Sequence, residues 1–137
     1  MSRVLGLDYG EKRIGMAISD DMQRLAVGID TVENTDMSIF LEFLKKLCQR
    51  EDIGIIVVGL PLNLSGNKTK KTVEARQFGL KIEEALGIPV EFQDERLTSR
   101  QAGELLKGIK KDKGQIDKVS AQLILQCYLD RRRYLGK

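Results

Sequence analysis

The chain opens with three strand-like segments joined by tight turns, and only afterwards does its hydrophobic pattern alternate between helix and strand. That order constrains its fold more than any other feature. Arg3 to Leu7 (RVLGL) is a short apolar run rich in β-formers that ends at Asp8-Tyr9-Gly10. Ile14 to Ser19 (IGMAIS) follows a turn containing Gly10 and Glu11, and Leu25 to Thr31 follows the polar turn Asp20 to Gln23. Such short connections make an antiparallel meander. Ile39, Phe40, Phe43, Leu44 and Leu47 then recur at three- and four-residue spacing, which predicts an amphipathic helix from Met37 to Arg50. Ile53 to Val58 (IGIIVV) is apolar on both faces, as expected of a central strand covered by helices.

Beyond the loop Gly59 to Lys68, a helix from Thr69 to Leu86 is closed by Gly87 and Pro89, and Val90 to Gln93 forms a fifth strand. Thr98, with Gln101 three residues on, predicts the cap of another helix, followed by a basic loop from Gly108 to Gly114. The last helix is expected from Asp117 to Tyr134, with Val119, Leu123, Leu125 and Tyr128 or Leu129 in the core. The order β-β-β-α-β-α-β-α-α predicts an α/β fold in which a mixed sheet carries helices on both faces. No repeat or linker interrupts it, so residues 1–137 are expected to form one domain. Right-handed crossovers would make strands one, four and five parallel. Their carboxyl ends, where ligands gather in such sheets, then bring Asp8, the Gly59 loop and Asp94-Glu95 to one edge.

A chain of 137 residues can bury a core without disulfides or a structural metal. With 42% hydrophobic and 31% charged residues it is neither disordered nor membranous in composition. The longest apolar run, Ile53 to Leu64, is broken by Gly54, Gly59, Pro61 and Asn63, well short of the about 20 residues a bilayer span needs. The segment MSRVLGLDYG lacks the features of a signal peptide, so a cytoplasmic protein is expected. Cys48 and Cys127 each fall on an apolar helix face and read as buried free thiols.

Histidine is absent, which removes Ser-His-Asp and Cys-His catalysis, histidine bases and the usual zinc sites together. Catalysis would have to rest on carboxylates, amines, hydroxyls or a metal held by oxygen. The net charge of +3 permits an anionic partner without demanding one. Basic residues cluster at Lys68, Lys70 and Lys71, at Lys107, Lys110, Lys111 and Lys113, and at Arg131, Arg132 and Arg133. Each cluster could be ordinary solvated surface; three beside candidate acids favour nucleic acid.

Asp8, Glu95 and Asp117 stand out among the acids by position. Each has a simpler alternative: Asp8 as a turn former, Glu95 as the partner of Arg96 or Arg100, Asp117 as an N-cap. Brought together, they would repel one another, and a hard divalent cation such as Mg2+ or Mn2+ would relieve that repulsion. Such ions can activate water and stabilise the leaving oxygen of a phosphodiester without any histidine.

GLDYGEKRIGMA, GLPLNLSG, DERLTS and IDKVSAQLILQCYLD, in this order and over nearly the whole chain, resemble the YqgF/RuvX family of RNase H-like proteins. The resemblance implies a five-stranded mixed sheet in the order 3-2-1-4-5 and a site of Asp8, Glu95 and Asp117 with Mg2+ or Mn2+. It further implies a nuclease that matures the 5′ end of pre-16S rRNA or, as some members are named, a Holliday junction resolvase. RuvC-type resolvases carry an acid at the end of strand four, where this chain has Gly59-Leu60, so here the acid would come from strand five. The same motifs point to Arg13 as a holder of phosphate, or simply an ion-pair partner of the acids. They also place Asn63, Gly66 and Lys68 near a sugar-phosphate backbone and Arg96 and Arg100 beside Glu95, with Thr98 first of all a cap. Tyr9 could stack on an unpaired base.

Four functions fit these residues: a nuclease acting on pre-rRNA, a junction resolvase that would need a dimer to cut two strands, a non-catalytic nucleic-acid-binding module, and an ATP-binding domain. The last rests on the likeness of GLDYG and its hairpin to the phosphate loop of the actin, Hsp70 and sugar-kinase fold, whose members use two such domains. Either a monomer or a homodimer is compatible with the first.

Overall fold

The computed structural model describes residues 2–62, 65–95 and 113–134, with the side chains of the last stretch over 117–133. Its elements are β1 (Arg3–Tyr9), β2 (Arg13–Ser19), β3 (Ala26–Glu33), α1 (Met37–Arg50), β4 (Ile53–Leu60), α2 (Lys70–Leu86), β5 (Val90–Asp94) and α3 (Lys113–Tyr134). The sheet runs β3-β2-β1-β4-β5, with the meander antiparallel and β1, β4 and β5 parallel. This is the predicted topology. The helix expected from Thr98 lies outside the described residues.

Alternation along the strands sorts their side chains onto two faces. Leu5, Leu7, Ile14, Met16, Ile56 and Val58 pack under α1 and α2 with Phe40, Leu44, Phe78 and Ile82. Val4, Ala17, Ala26 and Val57 pack under α3 with Ala121, Ile124, Leu125, Tyr128 and Leu129. Asp36 caps α1 by accepting from the amides of Ser38 and Ile39, and Thr69 caps α2 in a box with Thr72. The Thr72 hydroxyl also donates to the Pro61 carbonyl at 2.7 Å, which ties the loop after β4 to the start of α2. On the other face, Gln126 and Gln122 of α3 accept from the Ala26 and Gly28 amides of edge strand β3 at 2.8 and 3.2 Å.

Several local expectations change. The first strand does not stop before Asp8: the antiparallel register with β2 carries it through Asp8↔Gly15 and Tyr9↔Ile14. The last helix begins at Lys113, so Asp117 lies inside it and is not an N-cap. Its buried face is Ala121, Ile124, Leu125, Tyr128 and Leu129; Val119 and Leu123 flank that face and are only half-buried. Cys48 is buried as expected, but Cys127 is exposed because it points away from the sheet. Among the described residues no helix is long and apolar enough to cross a membrane.

Candidate functional site

Asp8 points to the α3 face, two residues beyond Gly6 on the same side of β1, and is half-buried. Its neighbours across the sheet are glycines, for two separate reasons. Opposite Asp8 on β2 is Gly15, and a Cβ there would collide with the backbone of Asp117, its carbonyl carbon only 2.6 Å away. The missing side chain lets the first turns of α3 lie directly on the sheet and sets Asp117 beside Asp8. On the other side, β4 pairs with β1 through Leu7↔Val58 and continues to Gly59. A Cβ on Gly59 would stand 3.0 Å from Cδ and Oε2 of Glu95.

Glu95 follows β5 directly, and its amide donates to the Leu60 carbonyl at 3.1 Å, so the chain is still held to the end of β4. From there its side chain folds back over Gly59 and is 8% exposed. A β4 without a side chain at position 59 therefore leaves room for a carboxyl group from just beyond β5, and Glu95 lies beside Asp8.

The carboxyl groups of Glu95 and Asp8 share a hydrogen bond, Glu95 donating and Asp8 accepting. Burial pushes Asp8 up to about 7, and the negative charge of Asp117 adds to that. Burial likewise pushes Glu95 up to about 9, reinforced by the charge of Asp8 and its acceptance of the Glu95 proton, and by Asp94, while Lys71 opposes the shift. Two acids that would each be ionised in water thus hold a proton between them, the expected response of buried like charges with no cation at hand.

The third acid is close but differently engaged. Asp117 accepts from Arg13 Nε at 2.9 Å, and both side chains are about a quarter exposed, at 26% and 29%. Arg13 therefore takes the ion-pair role rather than standing free. Among the described residues no group of three acids is gathered tightly enough to hold a metal ion, because Asp117 faces Arg13 rather than the Asp8–Glu95 pair.

Gly66 adopts a left-handed conformation (φ 86°), and Lys68 is exposed in the same loop. Asn63, Arg96, Thr98 and Arg100, together with Lys107, Lys110 and Lys111, lie outside the described residues. The arginines Arg131 to Arg133 are at the far end of α3: at about 1.5 Å per residue, Arg131 is roughly 21 Å along the axis from Asp117. Arg132 lies over the Tyr128 ring and Arg133 pairs with Asp130, so this cluster does not flank the acids. Of the basic cluster at Lys68, Lys70 and Lys71, Lys71 is the one whose charge acts on Glu95, while the spacing roles of Gly15 and Gly59 were not foreseen. A glycine inside an otherwise apolar strand was the available signal for the latter.

The RuvX family model, described as a Holliday junction resolvase, matches residues 2–131. A relative from Syntrophomonas wolfei, named a candidate pre-16S rRNA nuclease, is 44% identical over 132 residues, covering 93% of this chain and 94% of its own. A Clostridium botulinum relative of the same name is 42% identical over 133 residues, covering 94% and 97%. Thermus thermophilus RuvC, in complex with a Holliday junction substrate, superimposes with a TM-score of 0.59 at 14% identity over 97% of this chain and 96% of that one, a likeness of fold. With a family model spanning nearly its whole length and relatives above 40% identity, this chain belongs to the RuvX family.

Proposed function

We propose that the chain is a cytoplasmic, metal-dependent nuclease that hydrolyses phosphodiester bonds at the 5′ end of pre-16S rRNA, with Asp8, Glu95 and Asp117 as the residues that would hold Mg2+ or Mn2+. The observation that carries this reading is the proton-sharing Asp8–Glu95 pair at the carboxyl ends of parallel strands. The names of the relatives supply the substrate.

The residues fit a hard divalent ion. The donors are all oxygen, two of them are already held together, and a cation would replace the proton that now reconciles them. Gly59 keeps clear the space in which Glu95 bends toward Asp8. Asp117 can join by exchanging Arg13, and the freed guanidinium is then available to a substrate phosphate. A bound divalent ion would supply Lewis-acid stabilisation of the charge developing on phosphate and would lower the pKa of water. Lys71 stands near Glu95 as a further positive charge for the substrate backbone.

Purified protein with Mn2+ should shorten a 16S precursor at its 5′ end, and Asp8→Asn or Glu95→Gln should reduce cutting to background. A precursor left uncut by the wild type, or cut equally by Asp8→Asn, overturns the reading. The family description favours one alternative, resolution of four-way junctions by the same acids. Faster cleavage of a synthetic junction than of the precursor, at matched salt, would decide for it.

A further inference from the structure

Two cavities of about 220 and 210 Å3 share Tyr9 and Glu74 in their walls, and Asp117 lines the first. The first lies between the β1–β2 hairpin, the start of α2 and Asp117; the second continues past Tyr9 towards Asn34 and Lys81. They form one groove with the Tyr9 ring at its middle and Asp117 at one end.

We propose that this groove carries an unpaired nucleic-acid strand, with one base stacked on Tyr9 and the adjoining phosphodiester delivered to Asp8 and Glu95. The inference rests on the nuclease reading of the acid pair and narrows its substrate to a single strand at the cut. Tyr9 directly follows Asp8 in β1, and its ring is braced against Phe78 with centroids 4.6 Å apart. Strand alternation turns Tyr9 to the face opposite Asp8, so a base stacked there lies across the carboxyl end of β1 from the acids. The hairpin is stiff: the Asn34 amide donates to the Lys12 carbonyl at 2.9 Å, and its side chain donates to the Gly10 carbonyl at 2.7 Å.

The charge in the groove points the same way. Arg13 and Asp117 satisfy each other, leaving Lys12, Lys71 and Lys81 against Glu11 and Glu74. Three lysines against two glutamates suit a few phosphates of one strand and are too little to hold a duplex by charge alone. The first turn of α2 adds Lys70 and Lys71 with no acid, so its positive end also favours an anion. Each cavity is on the scale of one base, and stacking on an aromatic ring tolerates any base because every base has a π-face.

The test is binding of a fluorescein-labelled 12-nucleotide RNA, single-stranded or annealed to its complement, to the Asp8→Asn protein, so that cutting does not intervene. The single strand should bind at least 10-fold more tightly than the duplex. Tyr9→Leu should weaken it by roughly 5- to 100-fold while Tyr9→Phe keeps it, the range expected for losing one stacked base. Circular dichroism confirms that the Leu variant folds, and 2-aminopurine fluorescence in the RNA should be quenched by the Phe variant and not by the Leu variant. Lys12→Glu and Lys81→Glu should each weaken binding several-fold, and Arg131→Glu, at the far end of α3, should not. The logarithm of affinity should fall with the logarithm of salt with a slope of about −2, for three phosphate contacts at about 0.7 each. Equal affinity for duplex, or equal losses at Arg131 and Lys81, overturns the groove. If the groove variants are silent while the wild type still cuts and Asp8→Asn does not, the path fails and the acid site stands. The reverse result leaves a strand-binding groove beside a site that does not cut.

Discussion

The carboxyl group of Glu95 occupies the space that a side chain on Gly59 would claim, so the end of β4 and the residue after β5 supply one acid position between them. A Cβ at position 59 would also meet Ile124 Cδ1 at 2.6 Å. Gly59→Ala should therefore cost about 1–3 kcal/mol of stability as Ile124 shifts. Because Glu95 must also withdraw from Asp8, Mn2+ affinity should fall by roughly 10-fold or more, the scale seen when the support of a ligand is disturbed. Calorimetric titration of Mn2+ checks this; an unchanged affinity would remove Glu95 from the metal site.

The proton between Asp8 and Glu95 makes the metal-free protein pH-sensitive. Their folded values of about 7 and about 9 lie above the ordinary carboxyl values of 3.8 and 4.5, so the folded state keeps protons that the unfolded chain releases. The stability this represents is complete below about pH 4 and is lost as pH rises through 7 to 9. Melting temperature in EDTA should fall from pH 5 to pH 9. Glu95→Gln should flatten that fall and melt higher than the wild type at pH 9. Mn2+ should raise the wild-type melting temperature most at high pH; a wild-type curve flat in pH would contradict the buried pair.

Arg13 holds Asp117 away from the other two acids through a partly exposed ion pair. Removing it with Arg13→Gln should change global stability by less than about 1 kcal/mol. Asp117 is then free to turn, so Mn2+ should bind several-fold more tightly, while KM for RNA rises because a phosphate partner is gone. Titration calorimetry and steady-state kinetics separate the two effects, and unchanged Mn2+ affinity would mean that Asp117 is not held in reserve.

Ser19 tests the fold independently of the site. It is 2% exposed, and its hydroxyl accepts from the buried Val4 amide at 2.9 Å. Ser19→Ala leaves that amide without an acceptor and should cost about 1–3 kcal/mol. The melting temperature should drop, with cleavage at 25 °C unaltered; Ser19→Thr, which keeps the hydroxyl, should lose less.

Elements whose signal is local were legible in the sequence. The period of Phe40, Phe43, Leu44 and Leu47 located α1 at Met37–Arg50 without error, because one face of a helix is written within a few residues. Boundaries that depend on a partner were not: β1 runs on through Asp8 because β2 pairs with it across Gly15. Asp117 looked like a cap because Asp is a good N-cap, yet α3 already starts at Lys113. Cys127 was expected on the apolar face of the last helix, but the helix turns it outward.

For the acid constellation itself, the chain alone determined the order and type of its elements and the residues available for chemistry: no histidine, and acids following strands that right-handed crossovers make parallel by default. Only the tertiary structure decided how those acids meet. Glu95 reaches Asp8 because Gly59 leaves room, Asp117 comes alongside because Gly15 admits the backbone of α3, and Arg13 claims Asp117 across 104 residues of chain. Periodicity encodes what neighbours along the chain do, whereas contacts between distant carboxyl groups depend on strand register and on how closely a helix can approach a sheet.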